Sequence, residues 1–364
     1  MKYTAEFRNP AVAQKLLASI RQTVAGFAGT MTLMEVCGTH TMAIYQHGIR
    51  SLLPESIRLI SGPGCPVCVT PVDYVDHAVA LARRPGTIVA TFGDMVRVPG
   101  SSSSLLHEKA RGTDVRVVYS PLDAVALAQK HPERAVVFLG VGFETTTPTI
   151  AGSIIEAKRR GVGNFFVLGA HKTIPGPMAV LADDPELKVD GYLCPAHVSA
   201  IIGADAYEPL ARDHGVPCVV TGFEPLDMLQ GVVMLARQIV AGEAKVEIQY
   251  SRIVKKVGNA KARQILYEVF EPCDARWRGI GVIPGSGLGI REEYSAFDAA
   301  RQLPVIMEEP REHQGCLCGE ILKGKVTPKE CPLFRKACTP ENPVGACMVS
   351  SEGTCAAEYK YGGC

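Results

Sequence analysis

Thirteen cysteines are spread through this 364-residue sequence, and their spacing is its most reactive feature. The stretch GPGCPVC at 62–68 sets Cys65 and Cys68 in a tight turn. Such a pair can close a small disulfide ring, and its first thiolate is often activated. It can also serve as half of a zinc site. Pro66 stiffens the turn, while Gly62 and Gly64 permit unusual backbone angles and close approach. The other thiols before the tail, Cys37, Cys194, Cys218 and Cys273, form no second CxxC, which favours redox chemistry over zinc. EVCGTH at 35–40 brings Cys37 and His40 to one turn. A soft thiolate with an imidazole suits a transition metal such as iron. A buried cysteine beside a hydrogen-bonded histidine is the commoner outcome of that spacing.

Seven of the thirteen, Cys316, Cys318, Cys331, Cys338, Cys347, Cys355 and Cys364, fall between 316 and 364. Four thiolates hold either zinc or an iron–sulfur cluster. Zinc sites usually pair their ligands as CxxC. Here the spacing is loose, with one CxC and prolines (Pro332, Pro340) beside several cysteines, so a cluster is the favoured reading and structural zinc the alternative. Six candidates compete for four positions, and Cys364, ending the chain, is expected to fray. Beyond residue 310 the sequence has little apolar periodicity, so a metal staple would supply stability that burial cannot.

Elements that could position these groups are visible from 30 to 240. Short β-branched runs (TLMEVCG, IRLISGPG, TIVATFGD, VRVVYSP, AVVFLGVGFE, NFFVLGAH, DGYLCPAH and PCVVTGFEP) alternate with segments of helical periodicity such as VDYVDHAVALARR. That alternation predicts two parallel α/β units, divided near 130–145. The expected division is residues 25–137, residues 138–240, and a third domain built from 1–24 and 241–364. Ligands of open α/β sheets sit at the carboxyl ends of the strands. Cys37 to His40, Cys65/Cys68, Asp94, Glu144, His171-Lys172, His197 and Glu224 all fall there, which predicts one shared cleft. Taken singly, His171 and His197 read as satisfied structural groups, Glu144 and the threonines after it as a helix cap, and Cys194 and Cys218 as small core residues. SSSS at 101–104 reads as a mobile loop, VEIQYSRIV as a strand, and NAKARQILYEVFEP as a helix.

Net charge is +1 and mean hydropathy +0.11. No basic stripe tracks phosphates, which argues against nucleic acid as a partner. No apolar run approaches the roughly 20 residues that span a bilayer, and the start lacks an apolar secretory core. A cytoplasmic protein with reduced thiols is expected.

Together EVCGTH (35–40), GPGCPVC (62–68), GFETT (142–146), PAHVSAIIG (195–203) and CPLFRKACTPENPVGACMVSSEGTC (331–355) resemble the HypD family of hydrogenase maturation factors, over essentially the whole chain. The resemblance implies two similar α/β domains and a third carrying a [4Fe–4S] cluster. It implies complexes with the small chaperone HypC and the cyanide-delivering HypE, on which the Fe(CN)2CO unit of [NiFe]-hydrogenases is assembled. The family's cluster spacing, C-x14-C-x6-C-x16-C, selects Cys316, Cys331, Cys338 and Cys355, with Cys318 and Cys347 as alternates. Its iron-binding cysteine corresponds to Cys37, with His40 close by, and its redox pair to Cys65 and Cys68. The expectation is an assembly factor with redox capacity rather than a stand-alone turnover enzyme. The competing readings are a cluster-dependent thiol–disulfide reductase acting on another protein, and a zinc-stapled α/β binding protein.

Overall fold

The computed structural model describes residues 5–363. The strands are β1 (Met31–Glu35), β2 (Ile57–Ser61), β3 (Thr87–Thr91), β4 (Val115–Val117), β5 (Ala135–Gly140) and β6 (Phe165–Gly169). They continue as β7 (His171–Lys172), β8 (Gly191–Pro195), β9 (Cys218–Thr221), β10 (Val246–Ile248), β11 (Phe270–Trp277) and β12 (Gly281–Ile290). All eight runs read as strands in the sequence are strands here.

Two sheets are parallel, with orders β10-β9-β8-β1-β2 and β4-β3-β5-β6. Every residue of β1, β3 and β8 is buried, as expected where helices cover both faces of a sheet. The fold class therefore stands, with a third, antiparallel sheet β11-β12-β7 added.

The sheets do not follow the expected division. A cut at residue 137 falls inside β5. The first sheet takes β1 and β2, loses the chain to the whole of the second sheet, and regains it at β8. Local periodicity identifies a strand but not its partner, so an inserted unit leaves no mark on it. Residues 10–24 likewise join the first sheet rather than the tail. Asn9 caps the helix Pro10–Val24 by accepting from the Ala11 amide at 2.9 Å. Its buried Leu17, Ile20 and Val24 pack in one core with Leu33 of β1 and with Leu229 and Val232 of the helix Pro225–Ala241.

VEIQYSRIV supplies only the short edge strand β10, and NAKARQILYEVFEP supplies the helix Ala260–Val269, capped by Asn259. Most of the glycine-rich GIGVIPGSGLGI forms β12, against the ordinary depletion of glycine in strands. Gly287 pairs with Cys273, and a Cβ there would come within 2.8 Å of the Ala275 Cβ. The tail packs onto the core that contains Cys65, Cys68 and Trp277. Arg278 anchors this region: its amide donates to the Val69 carbonyl at 2.9 Å, its Nε to the Thr70 carbonyl at 3.0 Å, and its Nη1 to Glu312 at 2.9 Å. The Ser101–Ser104 segment is held rather than loose: Ser101 donates to Asp76 through its amide, and Ser103 to Glu108 through its hydroxyl.

Candidate metal and thiol redox site

Cys37 follows β1 and caps the helix Gly38–Gln46. Its amide donates to the Glu35 carboxylate at 3.1 Å, and the Thr41 hydroxyl donates to the same carboxylate. Glu35 is fully buried, and burial raises its pKa to about 7. Cys37 is 2% exposed. Burial pushes its thiol up to about 12, with the Glu352 and Glu35 carboxylates adding to the effect against the backbone amides of His40 and Thr39. The thiol therefore stays protonated at neutral pH, and a metal must displace that proton to bind.

Two imidazoles lie beside this thiol. His197 Nε2 is 3.9 Å from the Cys37 Sγ. His40 Nε2 faces the carbonyls of Gly222 at 3.0 Å and Thr221 at 3.2 Å. Facing two acceptors, Nε2 must carry the proton, which leaves Nδ1 as the lone-pair nitrogen. That Nδ1 is buried and has no partner among the described residues. Carbonyls that fix the tautomer in this way are the usual support of a ligating histidine. Burial lowers both pKa values to about 4, so both rings are neutral. The Phe223 ring lies 5.1 Å from each imidazole. His197, read from sequence as a lone structural histidine, thus belongs at the site, and its only sequence signal was its place at a strand end.

The glycines of GPGCPVC are explained by the approach of two loops. The Gly38 amide donates to the Gly64 carbonyl at 3.1 Å, and a Cβ on Gly64 would run into the Cys37 backbone. Cys65 then caps the short helix Pro66–Val69, accepting from the Cys68 amide at 3.3 Å. Cys65 and Cys68 are 4% and 0% exposed, and burial pushes the Cys68 thiol up.

Six thiols of the tail, Cys316, Cys318, Cys331, Cys338, Cys347 and Cys355, line one cavity. Among the described residues no three His, Cys, Asp or Glu are gathered as a site for a single metal ion. The donor set instead fits a [4Fe–4S] cluster, which takes four thiolates. The Val344 amide points at the Cys338 Sγ at 3.4 Å, the kind of contact that tunes a cluster's potential. A Cβ on Gly345 would lie 2.7 Å from the Cys316 Sγ. The two alternates occupy a distinct place. The Cys318 and Cys347 sulfurs are 2.9 Å apart, and Cys68 and Cys355 share their buried cluster. The Cys68 thiol faces the Ala346 carbonyl at 4.0 Å, so the dithiol turn packs against the segment that carries Cys347. The tail also reaches the CGTH turn, where the Thr39 hydroxyl donates to Glu352 at 2.6 Å. Cys364 lies outside the described residues.

The shared cleft expected of seven strand ends divides between two sheets. Cys37, Cys65, His197 and Glu224 follow strands of the first; Asp94, Glu144 and His171 follow strands of the second. Glu224 pairs with Arg8, and Asp94 is exposed. Thr146 takes the N-cap position of the helix Thr147–Arg160, without a side-chain cap bond, while Glu144 accepts from the Ile174 amide at 3.0 Å and burial lifts its pKa to about 7. Cys194 and Cys218 are core residues, both fully buried.

A parallel α/β protein with a buried thiol–imidazole site, a dithiol turn and a cysteine-lined tail cavity is what these elements define. The family model for HypD, described as "Hydrogenase formation hypA family", matches residues 11–362. The chain is 48% identical to the hydrogenase maturation factor HypD of Azotobacter vinelandii, covering 100% of this chain and 97% of that protein. It is 47% identical to that of Rhodobacter capsulatus (100% and 99%) and 46% identical to that of Escherichia coli K12 (99% and 98%). The chain belongs to the HypD family of hydrogenase maturation factors. Among the described residues no helix is long and apolar enough to cross a membrane.

Proposed function

We propose that this chain is a cytoplasmic scaffold with redox capacity, on which the Fe(CN)2CO unit of [NiFe]-hydrogenases is assembled. Iron is the substrate. Cys37 would take it after losing its proton, with His40 Nδ1 and His197 Nε2 as the nitrogen donors at hand. A four-coordinate ion needs further ligands; a HypC-type chaperone would add a thiolate, and a HypE-type partner would deliver cyanide. Held by Cys316, Cys331, Cys338 and Cys355, a [4Fe–4S] cluster would supply electrons one at a time.

The gathering of Cys65, Cys68, Cys318 and Cys347 in one buried cluster carries this reading, because disulfide exchange requires sulfur to reach sulfur. In the reducing direction Cys347 would attack Cys68 of a Cys65–Cys68 disulfide, its proton passing to the departing Cys65 sulfur. Cys318, 2.9 Å from Cys347, then closes on it and frees Cys68. One disulfide is exchanged for another, and two electrons arrive at the dithiol beside Cys37. A reductase acting on other proteins would need an accessible thiol, and the burial of Cys65 and Cys68 counts against it.

Iron, zinc and acid-labile sulfide should be measured on protein purified without oxygen. About four irons per chain with matching sulfide supports the reading, while zinc without sulfide sinks its redox part. Cys37→Ala should lose only iron beyond the cluster. Cys65→Ala and Cys68→Ala should abolish hydrogenase maturation with iron–sulfur content intact, and maturation that survives either change refutes the thiol relay.

A further inference from the structure

A cavity of about 280 Å³ lies between the end of β6, strand β7 and the β11–β12 hairpin, and the chemistry above does not use it. Tyr74, His171, Lys172, Cys273 and Arg276 are among the residues that line it. Pro71, three residues beyond Cys68, lines it too.

Two of these side chains are more than nine-tenths buried without the partners that burial demands. Lys172 is 4% exposed and forms no ion pair among the described residues. Its Nζ reaches the Ala170 carbonyl at 3.5 Å, which leaves most of its donor capacity unused. His171 is 2% exposed, and neither ring nitrogen has a partner among the described residues. The ring is fixed edge-on to Phe270, at 4.8 Å, and sits over Gly140, where a Cβ would come within 2.7 Å of it. Burial lowers the Lys172 pKa to about 8, against the pull of Asp73 and Cys273, and lowers that of His171 to about 3. The imidazole is thus neutral, with one donor and one acceptor to offer.

The nearby acids are occupied elsewhere. Asp73 lies 3.7 Å from the Arg276 guanidinium. Asp274 accepts from the Gly285 amide at 3.0 Å. Asp298 caps the helix Ala299–Gln302 and lies 3.5 Å from Arg301. Lys172 has the Trp277 ring face, 5.7 Å from its Nζ, but no carboxylate partner among the described residues. Buried charges are normally paired, and buried polar groups hydrogen-bonded. Both His171 nitrogens are closed off from the cavity, so a ligand there need only carry negative charge and oxygens able to accept from the amine.

We propose that this cavity binds a small oxyanion, a carboxylate or a phosphate, held by the Lys172 amine. The space is that of several water molecules at about 30 Å³ each, enough for inorganic phosphate or a short carboxylic acid. Arg276, largely exposed, stands at the mouth, where it can meet an arriving anion.

The test uses the intact wild-type chain. A brief pulse of acetic anhydride at pH 8 is followed by peptide mass spectrometry, in chloride, acetate or inorganic phosphate at equal ionic strength. At an anion concentration about ten times Kd, acetylation of Lys172 should slow about ten-fold, while the exposed Lys188 keeps its rate. Protection by phosphate alone identifies a phosphate site, and protection by acetate alone a carboxylate site. Protection by both supports the shared oxyanion chemistry. Equal Lys172 rates in all three salts overturn the proposal and leave a cavity filled by water. As a second measurement, the anion should raise the Tm of the wild-type chain and not that of Lys172→Gln. A rise that survives the substitution also overturns it.

Discussion

Gly64→Ala should separate the two loops that carry Cys37 and Cys65. The new methyl would collide with the backbone nitrogen and Cα of Cys37 and with the Val36 carbonyl carbon. None of these is the end of a flexible side chain, so one loop must move by about 1 Å to restore van der Waals contact. The Gly38–Gly64 hydrogen bond, now 3.1 Å, would then exceed hydrogen-bonding distance. Losing it costs about 1 kcal/mol, and overpacking adds about 1–3 kcal/mol, for a total of about 2–4 kcal/mol. At roughly 2.1 cal/mol/K per residue, unfolding of the whole chain carries an entropy near 0.8 kcal/mol/K, so Tm should fall by about 3–5 °C. The assay is a thermal melt of anaerobic protein, paired with hydrogenase activity in cells lacking the wild-type gene. Gly163→Ala is the control, since that glycine is exposed with open space around it; it should stay within about 0.5 kcal/mol of wild type. If Gly64→Ala matches Gly163→Ala in both melting and maturation, the close approach is not what glycine is needed for.

Two further outcomes follow from particular side chains. Burial raises the Glu144 pKa to about 7 from the ordinary 4.5. The folded state therefore holds a proton that the unfolded chain gives up between those pH values, and stability falls as pH rises through that window. The shift corresponds to about 3 kcal/mol at most. Glu144→Gln keeps an acceptor for the Ile174 amide and cannot ionise, so its stability relative to wild type should rise by about 2–3 kcal/mol between pH 5 and 8 in denaturant titrations. Parallel curves would show that the carboxyl is not buried as described. Gly152 lies inside the helix Thr147–Arg160, and a methyl added there would meet nothing within 4 Å. Gly152→Ala should therefore stabilise the chain by about 0.5–1 kcal/mol, and a lower Tm would contradict the open space.

The parallel strands were legible because each is a short apolar run ended by glycine or a polar turn. What the sequence could not convey was partnership. β2 and β3 are consecutive yet lie in different sheets, because hydrogen-bond partners are chosen by packing rather than by neighbouring residues. The thiols were legible by type and spacing, and their roles divided for a similar reason. Cys318 and Cys347 are 29 residues apart, and only the folded tail brings their sulfurs to 2.9 Å. Glu35 did carry a signal: a carboxylate closing the otherwise uncharged strand MTLME needs partners, and it has the Cys37 amide and the Thr41 hydroxyl. His197 gave no comparable signal, since its neighbour Cys37 is 160 residues away.

Those separations bear on how the site comes into being. Cys68 meets the Ala346 carbonyl across 278 residues, and Thr39 meets Glu352 across 313. Both contacts span the inserted second sheet and the return of the chain through β8 to β10. The tail has too little regular structure to hold its place alone, so its docking rests on burial of its own cysteines, Met348 and Ile321 against the core around Cys65 and Trp277. The groups proposed to supply redox chemistry are therefore also groups that fasten the tail. A change that loosens the tail should remove the Ala346 contact at Cys68 and the Glu352 contact at Thr39 together, because one short segment, Ala346 to Glu352, makes both.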